Sequence, residues 1–363
     1  VSSSRAAVLT TSPGRLEIHR IDVDDPGPDE VLVRTVAAGV CHSDLHFMQG
    51  VMPYPLPTVL GHESAGVVEA VGDRVTALAP GDHVVACLSV FCGRCEFCLS
   101  GNPALCLKQG VNRPAGAPPR LSLDGAPLTQ FLNLSSFSEL TLVHQNALVR
   151  IAPEMPLGPA ALLGCGVVTG LGAVFRTAAV RPGESVAVIG CGGVGLSTVH
   201  GAELVGAGRI IAVDTDPAKL ELARTFGATD VVDASTTDPV EAVRELTGGG
   251  VHHAFEAVGL AVTTEQAFAM ARRGGTATVV GMLPPGEKVS ISGLDLLVEK
   301  RLQGSQIGSN QFLVDIPRYV DLYLRGRLRL DDLISGTVPL AEVNEAYDRL
   351  TGGGVARQLL SFD

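Results

Sequence analysis

The chain has 363 residues, 46% of them hydrophobic and 18% charged, which is enough apolar material for the cores of two domains. Lys and Arg number 27 against 38 Asp and Glu, giving a net charge of −11 with no basic run, so a nucleic-acid partner is not expected. No apolar stretch reaches the about 18 residues of a membrane span, and "VSSSRAAVLTTS" lacks a basic segment leading into an apolar one, so neither a membrane anchor nor a secretion signal is expected.

From residue 6 to about 90 the chain reads as short strands: "AAVLTT", "EVLVRTVAAGV", "AGVVEAVG" and "GDHVVAC" are valine-rich runs bounded by Gly, Pro and Asp. Residues 107–133 are rich in Pro and Gly without helical period and predict an irregular surface segment. From about 167 strands alternate with helical patterns. "SVAVIG", "RIIAVD", "DVVD", "HHAFEAVG" and "TATVVGM" are the strands, with "GVGLSTVHGAELVG" and "DPAKLELARTFG" the first two helices. That alternation predicts a parallel sheet with crossover helices. A last segment, 308–363, carries the helical "DIPRYVDLYLRGRL" and the strand "ARQLLSFD". "LTGGGV" stands at 246–251 and again at 350–355, each time after a helical pattern, where glycines suit left-handed helix ends.

"GCGGVG", residues 190–195, follows the strand "SVAVI" and opens a helix. Gly190 allows the tight turn, Gly192 lets backbone approach a pyrophosphate, and Gly195 lets helix and sheet pack closely; Gly193 and Val194 begin the helix whose N–H groups face the anion. Asp214 ends the next strand, nineteen residues past Gly195, where its carboxylate can accept both ribose hydroxyls of NAD and repel the 2′-phosphate of NADP. Lys219 on the following helix is within reach of the same ribose. NAD is the expected cofactor.

Without a secretion signal the eight cysteines are expected in a reducing cytoplasm, where clustered thiols bind metal more often than they pair. Cys92, Cys95, Cys98 and Cys106 follow the spacing C-x2-C-x2-C-x7-C. Four thiolates close a tetrahedral zinc shell and leave no position for substrate, so the quartet predicts a structural zinc. An iron–sulfur cluster takes the same ligands but lacks a role beside NAD; a redox C-x-x-C pair would leave two cysteines idle. Cys87 in "VVAC" and Cys191 in the glycine loop read as small buried residues. Cys41 in "GVCHSDLH", Cys165 in "LLGCGVVTG" and His62 in "LGHESAG" remain. Two thiolates and one imidazole make a three-ligand zinc site with its fourth position open, a catalytic arrangement.

The set "GVCHSDLH", "GHESAGVVEAVG", "CGRCEFCLSGNPALC", "GCGVVTG" and "GCGGVG" resembles the zinc-containing medium-chain alcohol dehydrogenases, in order and over the whole chain. The resemblance implies an α/β fold in which a GroES-like β catalytic domain (1–166, with a structural-zinc lobe at about 90–135) is interrupted by a Rossmann NAD-binding domain (167–307). Residues 308–363 would return to the catalytic domain. It implies two zinc ions per chain, with the catalytic one on Cys41, His62 and Cys165. Ser43, a cofactor ribose hydroxyl and His46 would form a proton relay, Asp44 would orient His62, and Glu63 would serve behind the metal as a transient ligand or a field-tuning charge. Thr169 would touch the nicotinamide. Backbone near Val258, Val280, Met282 and Ile307 would hold its carboxamide, and Arg357 would reach the phosphates. The family implies small alcohols or aldehydes as substrates, and the segment 107–133, which resembles the lobe insertion of dimeric members, implies a homodimer.

One departure stands out. Many members carry Arg after the first zinc cysteine, where this chain has His42, which predicts a looser or more pH-dependent hold on the NAD phosphates. Leu88, four residues before Cys92, falls where members place a pocket wall and would leave room for a medium-chain or arylmethyl alcohol, unless it is simply core. The expected reaction is hydride transfer from an alcohol to NAD. The alternative, oxidation of a formaldehyde adduct of glutathione or mycothiol, would need cations at the pocket rim, for which Lys108, Arg113 and Arg120 are the candidates. A non-catalytic member should have lost ligands or relay residues, and this chain keeps them all.

Overall fold

The structure, a computed structural model, describes residues 1–352 and 356–362. The chain forms two compact units: Val1–Cys165, Gln311–Gly352 and the chain from Arg357 make the first, Gly166–Asn310 the second. Against the expected edges at 166 and 307, the divisions fall at 165 and 310.

In the first unit β1 (Ser2–Leu9), β2 (Glu17–Val23) and β4 (Thr58–Val59) lie side by side in a six-stranded sheet. β3 (Glu30–Val40), β5 (Glu63–Val71) and β6 (His83–Cys87) are consecutive in a seven-stranded sheet. β3, "EVLVRTVAAGV", is the hub. It is apolar almost throughout and buried on both faces, as a central strand must be. Its first half pairs with Leu140–His144 on one side and β5 on the other. Its last residues pair with the returning C-terminal strand Arg357–Ser361, Val40 opposite Gln358 and Ala37 opposite Ser361.

Residues 107–133 are less peripheral than their composition suggests. Leu121–Leu123 adds to β2, and Thr129–Gln130 pairs with β4. Val111, Leu121, Leu128 and Phe131 are buried, because scattered apolar residues anchor a segment too aperiodic to read as an element. Glu30, at the start of β3, is almost wholly buried and receives Arg113 Nη2 at 2.6 Å and Arg120 Nε at 2.7 Å. Burial raises its pKa, but the two guanidinium groups prevail and pull it down to about 2.

The second unit is a parallel sheet of six strands in the spatial order Asp230–Asp233, Arg209–Asp214, Ser185–Ile189, Val251–Glu256, Ala271–Val279, Arg301–Gly304. The strand first in sequence, Ser185–Ile189, lies third in space, and the winding reverses beside it. Its C-terminal end is the switch point where such sheets bind ligands.

The two "LTGGGV" segments end their helices differently. Helix Pro239–Thr247 stops on Gly248 at φ 66, left-handed as expected. Helix Val343–Thr351 instead carries Gly352 at φ −71, still donating its N–H to the Asp348 carbonyl, so helical geometry persists through that glycine. Residues 353–355 of the second segment lie outside the described residues. No single helix among the described residues is long and apolar enough to cross a membrane.

Candidate functional site

Three neighbouring strands of the seven-stranded sheet bring their ends together. Cys41 directly follows β3, Glu63 opens β5 behind His62, and Arg357 opens the C-terminal strand. Cys165 arrives from the turn Leu162–Gly164, which abuts β6: a Cβ at Gly164 would sit 2.3 Å from the Ala86 carbonyl. A Cβ at Gly39 would likewise lie 2.3 Å from Glu63 Oε1, so the β3 backbone makes room for that carboxylate. The ligand atoms of Cys41, His62, Glu63 and Cys165 all lie within 4.8 Å of one another, and every one of these residues is buried.

This cluster has the chemistry of a metal site. His62 Nδ1–H donates to Asp44 Oδ1 at 3.0 Å, since a carboxylate only accepts, and Nε2 is left for a ligand. Burial disfavours protonation of His62, yet the Asp44 charge and hydrogen bond outweigh it and raise its pKa. Cys41 and Cys165 share a hydrogen bond that lowers the first thiol and raises the second, with Arg357 and His62 favouring the Cys41 thiolate. Arg357 is buried, with Nη1 3.9 Å from Glu63 Oε2 and 3.5 Å from the Val40 carbonyl. So dense a group of buried thiols, imidazole and carboxylate suits a divalent cation, which would neutralise two thiolates and keep one position open.

The closed site is local. Sγ–Sγ separations are 3.5 Å for Cys95–Cys98, 3.8 Å for Cys95–Cys106 and 4.0 Å for Cys92–Cys98. A tetrahedron with Zn–S of about 2.3 Å has edges of about 3.8 Å, so the four sulfurs fit zinc. All four are free thiols. The Cys92 and Lys108 amides each donate to Cys106 Sγ at 3.1 Å, and backbone donors from Cys98 and Leu107 hold the Cys95 thiol down to about 6.

In the second unit the glycine loop leaves the strand Ser185–Ile189 and enters helix Gly193–Leu204. Gly190 has φ +94. A Cβ at Gly195 would lie 1.7 Å from the Gly190 carbonyl, while one at Gly192 would meet nothing within 4 Å. That open face above a helix N-terminus without a side-chain cap fits a pyrophosphate. Asp214 also braces the loop, accepting the Cys191 amide at 2.7 Å and the Thr215 and Asp216 amides at 2.8 and 3.0 Å. Lys219 is half-buried on the next helix.

The remaining expected residues fall as follows. Ser43, Asp44 and His46 all lie on α1 (His42–Met48), Ser43 Oγ is 3.5 Å from Cys41 Sγ, and His42 is exposed. Thr169 is buried in helix Gly166–Gly172, which packs on Gln306–Ser309. The Val258 and Val280 amides donate to the Glu256 side chain and carbonyl, and the Ile307 carbonyl accepts from Asn310, so much of the backbone expected to meet a carboxamide is already engaged. Met282 is half-buried. Cys87 and Cys191 are wholly buried, as small core residues should be. Leu88 packs against the core of the first unit, which favours its plainer reading. Of the three cations named for a thiol carrier, Arg113 and Arg120 are engaged on Glu30, and Lys108 is half-buried with its pKa lowered by burial. Sequence reasoning missed the ion pair between Arg357 and Glu63, which nothing local announces.

Residues 27–154 match the alcohol dehydrogenase GroES-like domain, and residues 193–323 the zinc-binding dehydrogenase family. The chain is 40% identical to an S-(hydroxymethyl)glutathione dehydrogenase of Synechocystis sp., over 99% of this chain and 100% of the relative. The corresponding protein of Haemophilus influenzae is 39% identical, over 99% and 97% of the two chains. Among solved structures, benzyl alcohol dehydrogenase from Acinetobacter calcoaceticus is similar with TM-score 0.95 and 35% identity over 100% of both chains. An alcohol dehydrogenase zinc-binding domain protein from Burkholderia ambifaria is similar with TM-score 0.95 and 38% identity, over 100% of this chain and 99% of that one.

Proposed function

The chain belongs to the zinc-containing medium-chain alcohol dehydrogenases, and from that premise we propose that it oxidises primary alcohols with an apolar or aryl group and needs no thiol carrier. The general reaction is that of an NAD-dependent zinc oxidoreductase interconverting an alcohol and its carbonyl product. When bound, zinc supplies Lewis acidity toward the alcohol oxygen, and NAD supplies the hydride acceptor.

The chain's own groups do the rest. Cys41, His62 and Cys165 would hold the catalytic metal, with Glu63 behind them as a further donor or a field-tuning charge; Cys92, Cys95, Cys98 and Cys106 would hold the structural one. Asp44 fixes the His62 ring through Nδ1. Arg357 neutralises part of the negative charge that two thiolates and Glu63 bring together. Ser43, beside Cys41, would accept the alcohol proton while giving up its own, which half-buried His46, one turn further along α1, would carry to solvent. Gly190, Gly192, Gly193, Val194 and Gly195 cradle the pyrophosphate while Asp214 and Lys219 meet the ribose.

The observation that carries the substrate choice is the state of Arg113 and Arg120. Both are spent on Glu30, so the insertion offers few charges to the carboxylates of a thiol carrier. The names of the relatives at 40% identity favour the second reading, S-(hydroxymethyl)glutathione oxidation. Turnover followed at the NADH absorbance decides: benzyl and medium-chain alcohols are expected to outrun formaldehyde with glutathione or mycothiol, and the reverse order overturns the proposal. Resemblance to the long-insertion members supports a homodimer. A tetramer in light scattering would refute it.

A further inference from the structure

Two buried polar atoms near the catalytic cluster lack a completed hydrogen bond. One is Asp44 Oδ2, whose partner oxygen binds His62; the other is the Tyr347 hydroxyl. Both side chains are almost wholly inaccessible, at 0% and 2%. Buried polar groups left unpaired cost about 1–3 kcal/mol each, so a pair of them calls for an explanation.

Tyr347 lies on helix Val343–Thr351, whose buried face is Val343, Ala346, Tyr347 and Leu350. That spacing is a helix stripe toward the core, and at 347 it carries a hydroxyl where an apolar side chain would satisfy the pattern. The ring packs edge-on against Phe137, with centroids 6.4 Å apart. Phe137 in turn donates its amide to the Leu60 carbonyl at 3.0 Å, and Ser136 donates to Gly61 at 2.9 Å, so Tyr347 is set against the segment that delivers His62. Burial is the first influence on the hydroxyl and holds its proton in place. The Asp44 carboxylate is the next influence, which places it close to the hydroxyl although no hydrogen bond between the two is formed. Cys41 and Glu63 add smaller influences of the same sign. A buried hydroxyl and a buried carboxylate oxygen, each without a hydrogen-bond partner among the described residues, therefore lie close to one another.

We propose that Tyr347 is a positioning residue that donates its hydroxyl proton to Asp44 Oδ2 and completes a chain Tyr347–Asp44–His62 governing how firmly the catalytic metal is held. The inference rests on the metal-site reading given above. With both oxygens engaged, the carboxylate cannot rotate away from His62, so the imidazole keeps its Nδ1–H form and its aim. Outer partners of metal-binding histidines change metal affinity by about 10–100-fold, and a residue one step further out is expected to change it by about 3–10-fold.

The test uses the full chain loaded with zinc. Wild type, Tyr347→Phe, Asp44→Asn and the double variant are mixed with a chromophoric chelator, and the release of the faster-leaving zinc is timed alongside zinc per chain and melting temperature. Tyr347→Phe keeps the ring against Phe137 and removes only the oxygen. Release is expected to quicken about 3–10-fold in Tyr347→Phe, and the same change is expected to do nothing further in the Asp44→Asn background. Equal release from wild type and Tyr347→Phe, or an undiminished effect without the Asp44 carboxylate, overturns the inference. A hydroxyl with only a structural role would lower the melting temperature in both backgrounds and leave release unchanged. A wild-type chain holding one zinc, with none lost in Cys165→Ser, would overturn the metal-site reading and this inference with it, which distinguishes the two failures.

Discussion

The two cysteine-containing clusters of the first unit are built in opposite ways. The quartet at 92–106 is assembled within one short stretch, partly exposed, and wrapped by its own backbone amides. Around it Leu99, Leu105 and Leu107 lie on the surface, so this lobe has little core of its own. The Cys41–His62–Cys165 group is wholly buried and takes its members from the ends of adjacent strands and a distant turn. Its ligand geometry belongs to the sheet: β3 registers with β5 and with Arg357–Ser361, and that pairing sets Cys41 beside His62 and Glu63. A locally wrapped metal supports the chain around it. A metal held by a folded sheet is free to keep an open position, because the fold does not depend on it.

The contrast can be broken most directly at the gathered cluster. Cys165→Ser is expected to lower kcat by more than about 1,000-fold while the far-ultraviolet circular dichroism and melting temperature stay near wild type, because the sheet forms without the ligand. A variant that fails to fold would erase the distinction between the clusters. Cys98→Ser should do the reverse, lowering the melting midpoint by roughly 10 °C or more in a thermal scan, with the surviving folded fraction still active per catalytic zinc.

Glu30 sharpens the comparison, since it ties residues 107–133 to β3 through Arg113 and Arg120. Its folded pKa of about 2 lies below its ordinary 4.5. The stabilisation is therefore complete above about pH 4.5 and lost as pH falls toward 2. That is worth about 3 kcal/mol on the usual conversion. Denaturant titrations across this range should show Glu30→Gln to be less stable at neutral pH and less sensitive to acid. A parallel loss in both proteins would remove the clamp from the account. The smallest expected effect concerns His42, exposed at the head of α1. His42→Arg should tighten NAD by about threefold in calorimetry by placing a permanent charge there, and unchanged affinity would show that the side chain does not face the phosphates.

Legibility followed locality. The quartet could be read whole, since its spacing alone encloses an ion, and the sulfur separations agree. The loop Gly190–Gly195 and Asp214 were equally legible, because strand, turn and helix are contiguous there. Residues 107–133 read as a surface segment, yet an aperiodic segment can still bury Leu121, Leu128 and Phe131 when distant strands of the chain supply the partners. Arg113 and Arg120 looked like rim charges until Glu30 was placed between them. Tyr347 carried no signal at all, its position in the helix stripe calling only for an apolar residue.

By itself the sequence determined which chemistries were present: four thiolates to close one zinc shell, two more with an imidazole to leave another open, and a glycine turn with an acidic strand end for NAD. Residue type and short-range spacing suffice for that, since they set donor atoms and local backbone reach. Only the tertiary structure decided who stands next to whom. The β3 register puts Arg357 against Glu63, the insertion's arginines go to Glu30, and a C-terminal helix buries a tyrosine hydroxyl near Asp44. Those neighbours lie far apart along the chain, and burial makes their charges and hydrogen bonds matter, because little water remains to answer them.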